Sequence, residues 1–234
     1  VKQIDIRGVI VPNDDAWAYD WFEMDNTSPA KIKQAIDEAN GDDLTVTINS
    51  PGGDVASGSE IYTMLAAYPG NVTGHIYGDA CSAACTLAMG CHTLLASPTA
   101  MLMIHNVSTS AVGNHSDMEQ TAAMLSVADR TVAAAYVAKS GMSEQQVLDL
   151  MEQTTWMTAQ DALDLHLIDG IMFADDTKKD LEYTAARTNA YNAGMLPAAV
   201  IGKLRADRAN EKKAALNRAR AEYELLNLVM EVKE

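Results

Sequence analysis

Two strand-to-helix junctions, one structural unit apart, decide most of what this chain is able to become. Leu44-Thr45-Val46-Thr47-Ile48 reads as a strand; Asn49-Ser50-Pro51-Gly52-Gly53 follows, and then a helix with Val55, Ile61, Met64 and Leu65 inward. The pattern returns at Asn71 to Tyr77, which alternates like a strand and runs through Gly78-Asp79-Ala80-Cys81-Ser82 into a small-residue helical run, Ala83 to Met89. In a fold of repeated βα units, two such turns face one another across adjacent strand ends. Two glycines at the first turn allow backbone angles that other residues take with difficulty, and they leave N–H groups unobstructed. Ser82 falls at or near the first turn of its helix, where a hydroxyl and the unpaired N–H groups point outward together. A serine is also a favoured helix cap, so this junction alone does not separate a nucleophile from a structural residue.

The remaining segments continue the alternation. Val1 to Val11 is β-rich, Pro12 to Thr27 reads as a polar, aromatic-bearing loop, and Ser28-Pro29 opens a helix that ends at Gly41. Thr93 to Ala96 and Met101 to Ile104 are short apolar strands, and the second ends on His105. Among the five histidines, only His105 sits at a strand end in the same register as Ser82. Asn106 to Ser116 reads as a loop beside that site, and Asp117 to Lys139 as a long helix with Met118, Ala122, Leu125, Ala128 or Asp129, Val132 and Tyr136 at helical spacing. Ser143 starts a further helix, Thr158 caps a short one over Ala159 to Leu165, and Leu167 to Met172 closes the domain as a strand. The expected class is α/β, with a main domain over 1–174, a polar linker over 175–196 and a helical appendage over 197–234. In that appendage Leu216, Tyr223, Leu226 and Met230 form a thin apolar stripe on an otherwise charged helix, which suits an assembly or interaction element.

Charge narrows the class of partner. The net charge is −15, with 6 Lys/Arg against 24 Asp/Glu in residues 1–177 and 11 against 8 in 178–234. So acidic a body argues against nucleic acid as its ligand. No apolar run reaches a membrane-spanning length, and the opening VKQIDIRGVIV reads as a strand rather than a leader; a cytoplasmic setting is expected. Cys81, Cys85 and Cys91 are too local and too few to frame disulfides, have no second ligand pair at metal spacing, and read as small buried hydrophobes.

Taken together, Ile48-Asn49-Ser50-Pro51-Gly52-Gly53, Gly78-Asp79-Ala80-Cys81-Ser82-Ala83-Ala84 and Met103-Ile104-His105-Asn106 resemble the ClpP family of serine peptidases in order and spacing, over roughly residues 1–173. Within it, the Asn-Ser-Pro-Gly-Gly-Asp-Val start, the Met-Ile-His-Asn run and the tryptophan before the last helix resemble the ClpP-like peptidases of tailed-phage head-assembly modules. The resemblance implies a stack of ββα units related to the crotonase fold, and a ring-forming homo-oligomer, heptameric or of stacked heptamers. It implies Ser82 as nucleophile, His105 as general base, and the N–H groups of Gly53 and Ala83 as the oxyanion hole, with no metal and no cofactor. At the third triad position the pattern departs: aligning Trp156-Met157-Thr158-Ala159 puts Thr154 where an acid is expected, with Glu152 two residues away. A threonine accepts a hydrogen bond but supplies no charge to an imidazolium. The function implied is endoproteolysis of capsid or scaffold proteins, in a bacterial host's cytoplasm or a phage procapsid. The competing readings are a degradative peptidase fed by an unfoldase, and a ring-forming structural protein with a relict site. An acyl-CoA enzyme of the crotonase type would have no need of Ser82 and His105 in register.

Overall fold

The computed structural model of the chain describes residues 1–173, 196–197 and 199–214, which fall into two compact units. The first unit is an eight-stranded, almost wholly parallel sheet with helices packed on it, an α/β architecture as expected. Its strands are β1 (Lys2–Ile10), β2 (Asn26–Thr27), β3 (Leu44–Gly53), β4 (Val72–Cys81), β5 (Thr93–Ala96), β6 (Met101–Ile104), β7 (Thr155–Thr158) and β8 (Gly170–Ile171). The helices are α1 (Ala16–Trp21), α2 (Pro29–Ala39), α3 (Val55–Ala66), α4 (Ala83–Ala88), α5 (His115–Ser140), α6 (Glu144–Glu152) and α7 (Ala159–Asp164). The main path runs β2-β1-β3-β4-β5-β8, while β6 pairs with β4 and with β7.

The central strand changes neighbours along its length. Thr73 to Ile76 of β4 pair with β5, whereas Asp79 to Cys81 pair with β6, so the sheet forks near Tyr77 and Gly78. A fork at the carboxyl ends of parallel strands opens a crevice, the usual location of a ligand site in such sheets. β3 and β4 both run further than their apolar cores suggest, because the ladder resumes after an irregularity between Ile48 and Ser50. Asn49 fills that irregularity: its Oδ1 accepts the N–H of Asp79 at 3.0 Å and lies against Gly78. Ser50, fully buried, donates to the carbonyl of Gly8 on β1 at 2.6 Å and accepts from the N–H of Gly52. The Asn-Ser pair thus tethers the glycine turn to both neighbouring strands.

Several expectations need adjustment. Pro12 to Thr27 is not all loop, since it holds α1 and the edge strand β2, whose Asn26 and Thr27 pair with Val9 and Ile10. The closing strand shrinks to Gly170–Ile171, while Leu167 and Ile168 are buried in the core instead. Capping boxes start α5 at Asn114, α6 at Ser143 and α7 at Thr158, each satisfying N–H groups that the helix itself leaves open. In the second unit, residues 199–214 are helical and largely exposed. The linker expected over 175–196 lies outside the described residues except Leu196, as does the stripe from Leu216 to Met230.

β4 passes into α4 through Ser82, whose φ of 55° and ψ of −127° form a sharp elbow. That conformation is natural for glycine and strained for any residue with a Cβ. Such strain costs about 1–3 kcal/mol, against about 0.4–1 kcal/mol of extra unfolded-state freedom for glycine. Ser82→Gly should therefore be more stable than Ser82→Ala by about 1 kcal/mol in denaturant unfolding, since both lose the hydroxyl and only one relieves the elbow. Equal stability, or a more stable alanine variant, would show the elbow to be unstrained.

Candidate active site

The elbow and the end of β6 meet at the fork of the sheet. The N–H of Ser82 donates to the carbonyl of Met103 at 2.8 Å, which ties the serine to the strand that His105 terminates. Across 23 residues of sequence, His105 Nε2 and Ser82 Oγ lie 2.8 Å apart, a hydrogen bond at the length a base needs to take a proton. Both side chains are half-buried at the floor of a cleft lined also by Gly53, Ala83, Val107 and Tyr136. The four residues Ser82, His105, Gly53 and Ala83 singled out from sequence are thus brought to one place.

The glycine turn after β3 approaches the Ser82 elbow closely. Gly52 and Gly53 have φ of 93° and 147°. A Cβ on Gly52 would stand 2.5 Å from the carbonyl oxygen of Cys81 and 2.9 Å from the Cβ of Ser82. Only a residue without a side chain lets the first turn approach the elbow this closely. Ala83 is the first residue of α4, so its N–H has no partner within the helix.

Behind the serine, buried side chains join α4 to α5. Thr86 Oγ1 bonds Tyr136 Oη at 2.9 Å, locking α4 to α5, and Tyr136 is only 1% exposed, so burial holds its phenol protonated. The three thiols are buried and form no disulfide with one another. Burial pushes the Cys85 thiol far above its ordinary range and that of Cys91 up to about 12, so neither supplies a thiolate near neutral pH. Among the described residues, no group of three His, Cys, Asp or Glu is placed to hold a metal, and no helix is long and apolar enough to cross a membrane.

Around His105, the acids are arranged differently from the residues picked out in sequence. Thr154 is exposed, sits at φ 51°, and makes no hydrogen bond to His105 among the described residues. Glu152 is turned to Asn106, whose Nδ2 donates to its carboxylate. Asp129 of α5 accepts the N–H of Val107 at 2.6 Å. Burial lowers the pKa of His105 below its ordinary value, and the negative charge of Asp129 opposes that shift. Asp129 was visible in sequence as the acidic alternative to Ala128 on the inward stripe of α5, where a charge is out of pattern. Asn49 and Ser50 stood in sequence only as part of the turn motif; the bonds they make to Asp79 and Gly8 reach strands distant in sequence.

Comparison with known proteins follows the same lines. Residues 24–175 match the family model described as Clp protease. Over 138 residues the chain is 28% identical to the ATP-dependent Clp protease proteolytic subunit 1 of Chlamydia abortus, covering 57% of this chain and 72% of the relative. The protein of the same description from Chlamydia muridarum is 27% identical over the same shares. With a forked α/β sheet, an elbow serine bonded to a histidine and a family match over most of its length, this chain belongs to the Clp protease family of serine peptidases.

Proposed function

We propose that the protein is a serine endopeptidase in which Ser82 is the nucleophile and His105 its general base. The observation that carries this reading is the 2.8 Å contact between His105 Nε2 and the hydroxyl of a serine held on a strained elbow. A serine hydroxyl is a weak nucleophile until a neighbour takes its proton. As Ser82 Oγ attacks a peptide carbonyl, its proton passes to Nε2, and the carbonyl oxygen becomes an oxyanion. The N–H groups of Gly53 and Ala83, on the turns that flank the serine, are the donors for that oxyanion; one such donor is worth about 2.7–4 kcal/mol of barrier. The imidazolium then returns the proton to the leaving amine, and water repeats the sequence on the acyl-enzyme.

The narrower reading is limited processing of capsid or scaffold proteins during phage head assembly, within a homo-oligomeric ring such as a heptamer. Its support is the motif resemblance, together with Met118, Met124 and Val127 exposed on the first half of α5, apolar surface suited to self-assembly. The largely exposed helix over 199–214 is suited to docking rather than to catalysis. General degradation with an unfoldase is the second reading, favoured by the relatives whose names describe ATP-dependent proteolytic subunits.

A fluorophosphonate probe should label the assembled protein at Ser82 and leave Ser82→Ala unlabelled, read by mass spectrometry of the adduct; a folded, assembled sample that takes no label would sink the peptidase reading. Limited cleavage of an assembled coat or scaffold protein without ATP supports the processing role, whereas turnover of folded substrates only with an ATP-driven unfoldase supports degradation. Burial lowers the pKa of His105 below its ordinary value. The base stays neutral, hence competent, to more acidic pH, so the acid limb of kcat/KM should fall below the ordinary histidine value of 6.5. Native mass spectrometry, run alongside, gives the ring size.

A further inference from the structure

With Nε2 committed to Ser82, the imidazole turns Nδ1 away from the serine. A negative charge near the rest of the ring holds the tautomer whose Nε2 accepts, and it stabilises the imidazolium formed when the serine gives up its proton. The pairing of β6 with β7 brings Thr155 opposite Ile104, so one step further along the ladder Thr154 lies beside His105. That position carries a hydroxyl and no charge, and the nearby carboxylate of Glu152 is engaged with Asn106.

A second carboxylate near the base is carried by α5. Asp129, Val132, Ala133 and Tyr136 are spaced i, i+3, i+4 and i+7 along α5 and share one face of the helix. Val132 and Tyr136 line the cleft with His105, and Ala133 is fully buried, so Asp129 stands one turn before them on the face that meets the site. Its Oδ1 accepts the N–H of Val107, two residues beyond His105, which pins the chain leaving the base to α5. Oδ2 has no hydrogen-bond partner among the described residues.

We propose that Asp129 is the positioning carboxylate of His105, supplying from α5 the charge that the family pattern places at the position of Thr154. The inference rests on the reading of Ser82 and His105 as a catalytic pair. Through the proton transfer from Ser82 Oγ to Nε2, Asp129 stays anionic and the ring goes from neutral to cationic. The pair is therefore attracted in the charged state and not in the resting one.

The other titratable groups near the imidazole do not duplicate this role. Glu152 at the end of α6 faces Asn106. Tyr136 of α5 and Cys85 of α4 are buried and held protonated. Cys81 is buried on β4, Asp79 lies two residues back beside Met101 at the start of β6, and Arg130, next along α5, is exposed.

The test uses the full chain and three variants. Asp129→Asn keeps an oxygen for the Val107 N–H and removes the charge; Asp129→Ala removes both; Glu152→Gln removes the competing charge. Two quantities are read: the titration of His105 by NMR of nitrogen-labelled histidine, assigned with His105→Gln, and the rate of fluorophosphonate labelling against pH. In Asp129→Asn, the His105 titration and the acid limb of labelling should both move to lower pH. The plateau rate should fall by about tenfold or more, short of the about 10⁴ seen for a directly bonded triad carboxylate. A role limited to holding Val107 would leave Asp129→Asn like wild type and affect only Asp129→Ala, which would overturn the proposal. So would a shift in Glu152→Gln as large as that in Asp129→Asn. Wild-type protein that takes no label would count against the peptidase reading, and the His105 titration alone would then decide the assignment of Asp129.

Discussion

The hydrogen bond from the Ser82 N–H to the Met103 carbonyl is the constraint on which the site depends. It joins the last residue before α4 to the penultimate residue of β6, and His105 follows that strand directly. Serine and histidine are therefore placed by the backbone, through a ladder that the fork in the sheet makes available, rather than by contact between their own side chains. Sub-ångström registration of two groups distant in sequence is what positional catalysis requires, and sheet pairing supplies it at little entropic cost once the core has formed. That core is built from fully buried Ile48, Ile76, Leu102 and Ile104 on the strands that meet at the fork.

Around this bond the structure spends stability on geometry. The elbow is strained, two successive glycines have positive φ, and β3 breaks its register to bring the first turn against the second. Each irregularity has a polar tether: Asn49 across to Asp79, Ser50 to Gly8 and Gly52, Thr86 to Tyr136. Strain of this kind persists only where surrounding contacts over-determine it, and here they do.

Much of this was legible in the sequence. The two strand-Gly or strand-Ser-helix junctions announced βα units and facing turns, and β6 was read to its terminal residues, which placed His105 at the strand end. Periodicity and caps located α5, α7 and the start of α6 within a residue or two. What escaped was decided by contacts between segments far apart. β2 is two residues long and exists because Val9 and Ile10 offer an edge. The continuation of β3 and β4 past their apolar cores depends on a side chain, Asn49, bridging a gap that no local pattern reveals. Asp129 carried a faint signal, a charge on an inward stripe, but its meaning depends on the loop after β6 folding back onto α5.

The buried thiols have a chemical consequence of their own. Cys81 adjoins Ser82 in sequence and Cys85 lies one helical turn beyond it, yet both are closed off from solvent. A soft electrophile entering the cleft meets oxygen before sulfur, and oxidants that convert exposed thiolates to sulfenic acids find no such group beside the serine. Ser82 thus stands among cysteines whose sulfurs are shielded from solvent, so the thiol chemistry open to an exposed cysteine is closed to these three.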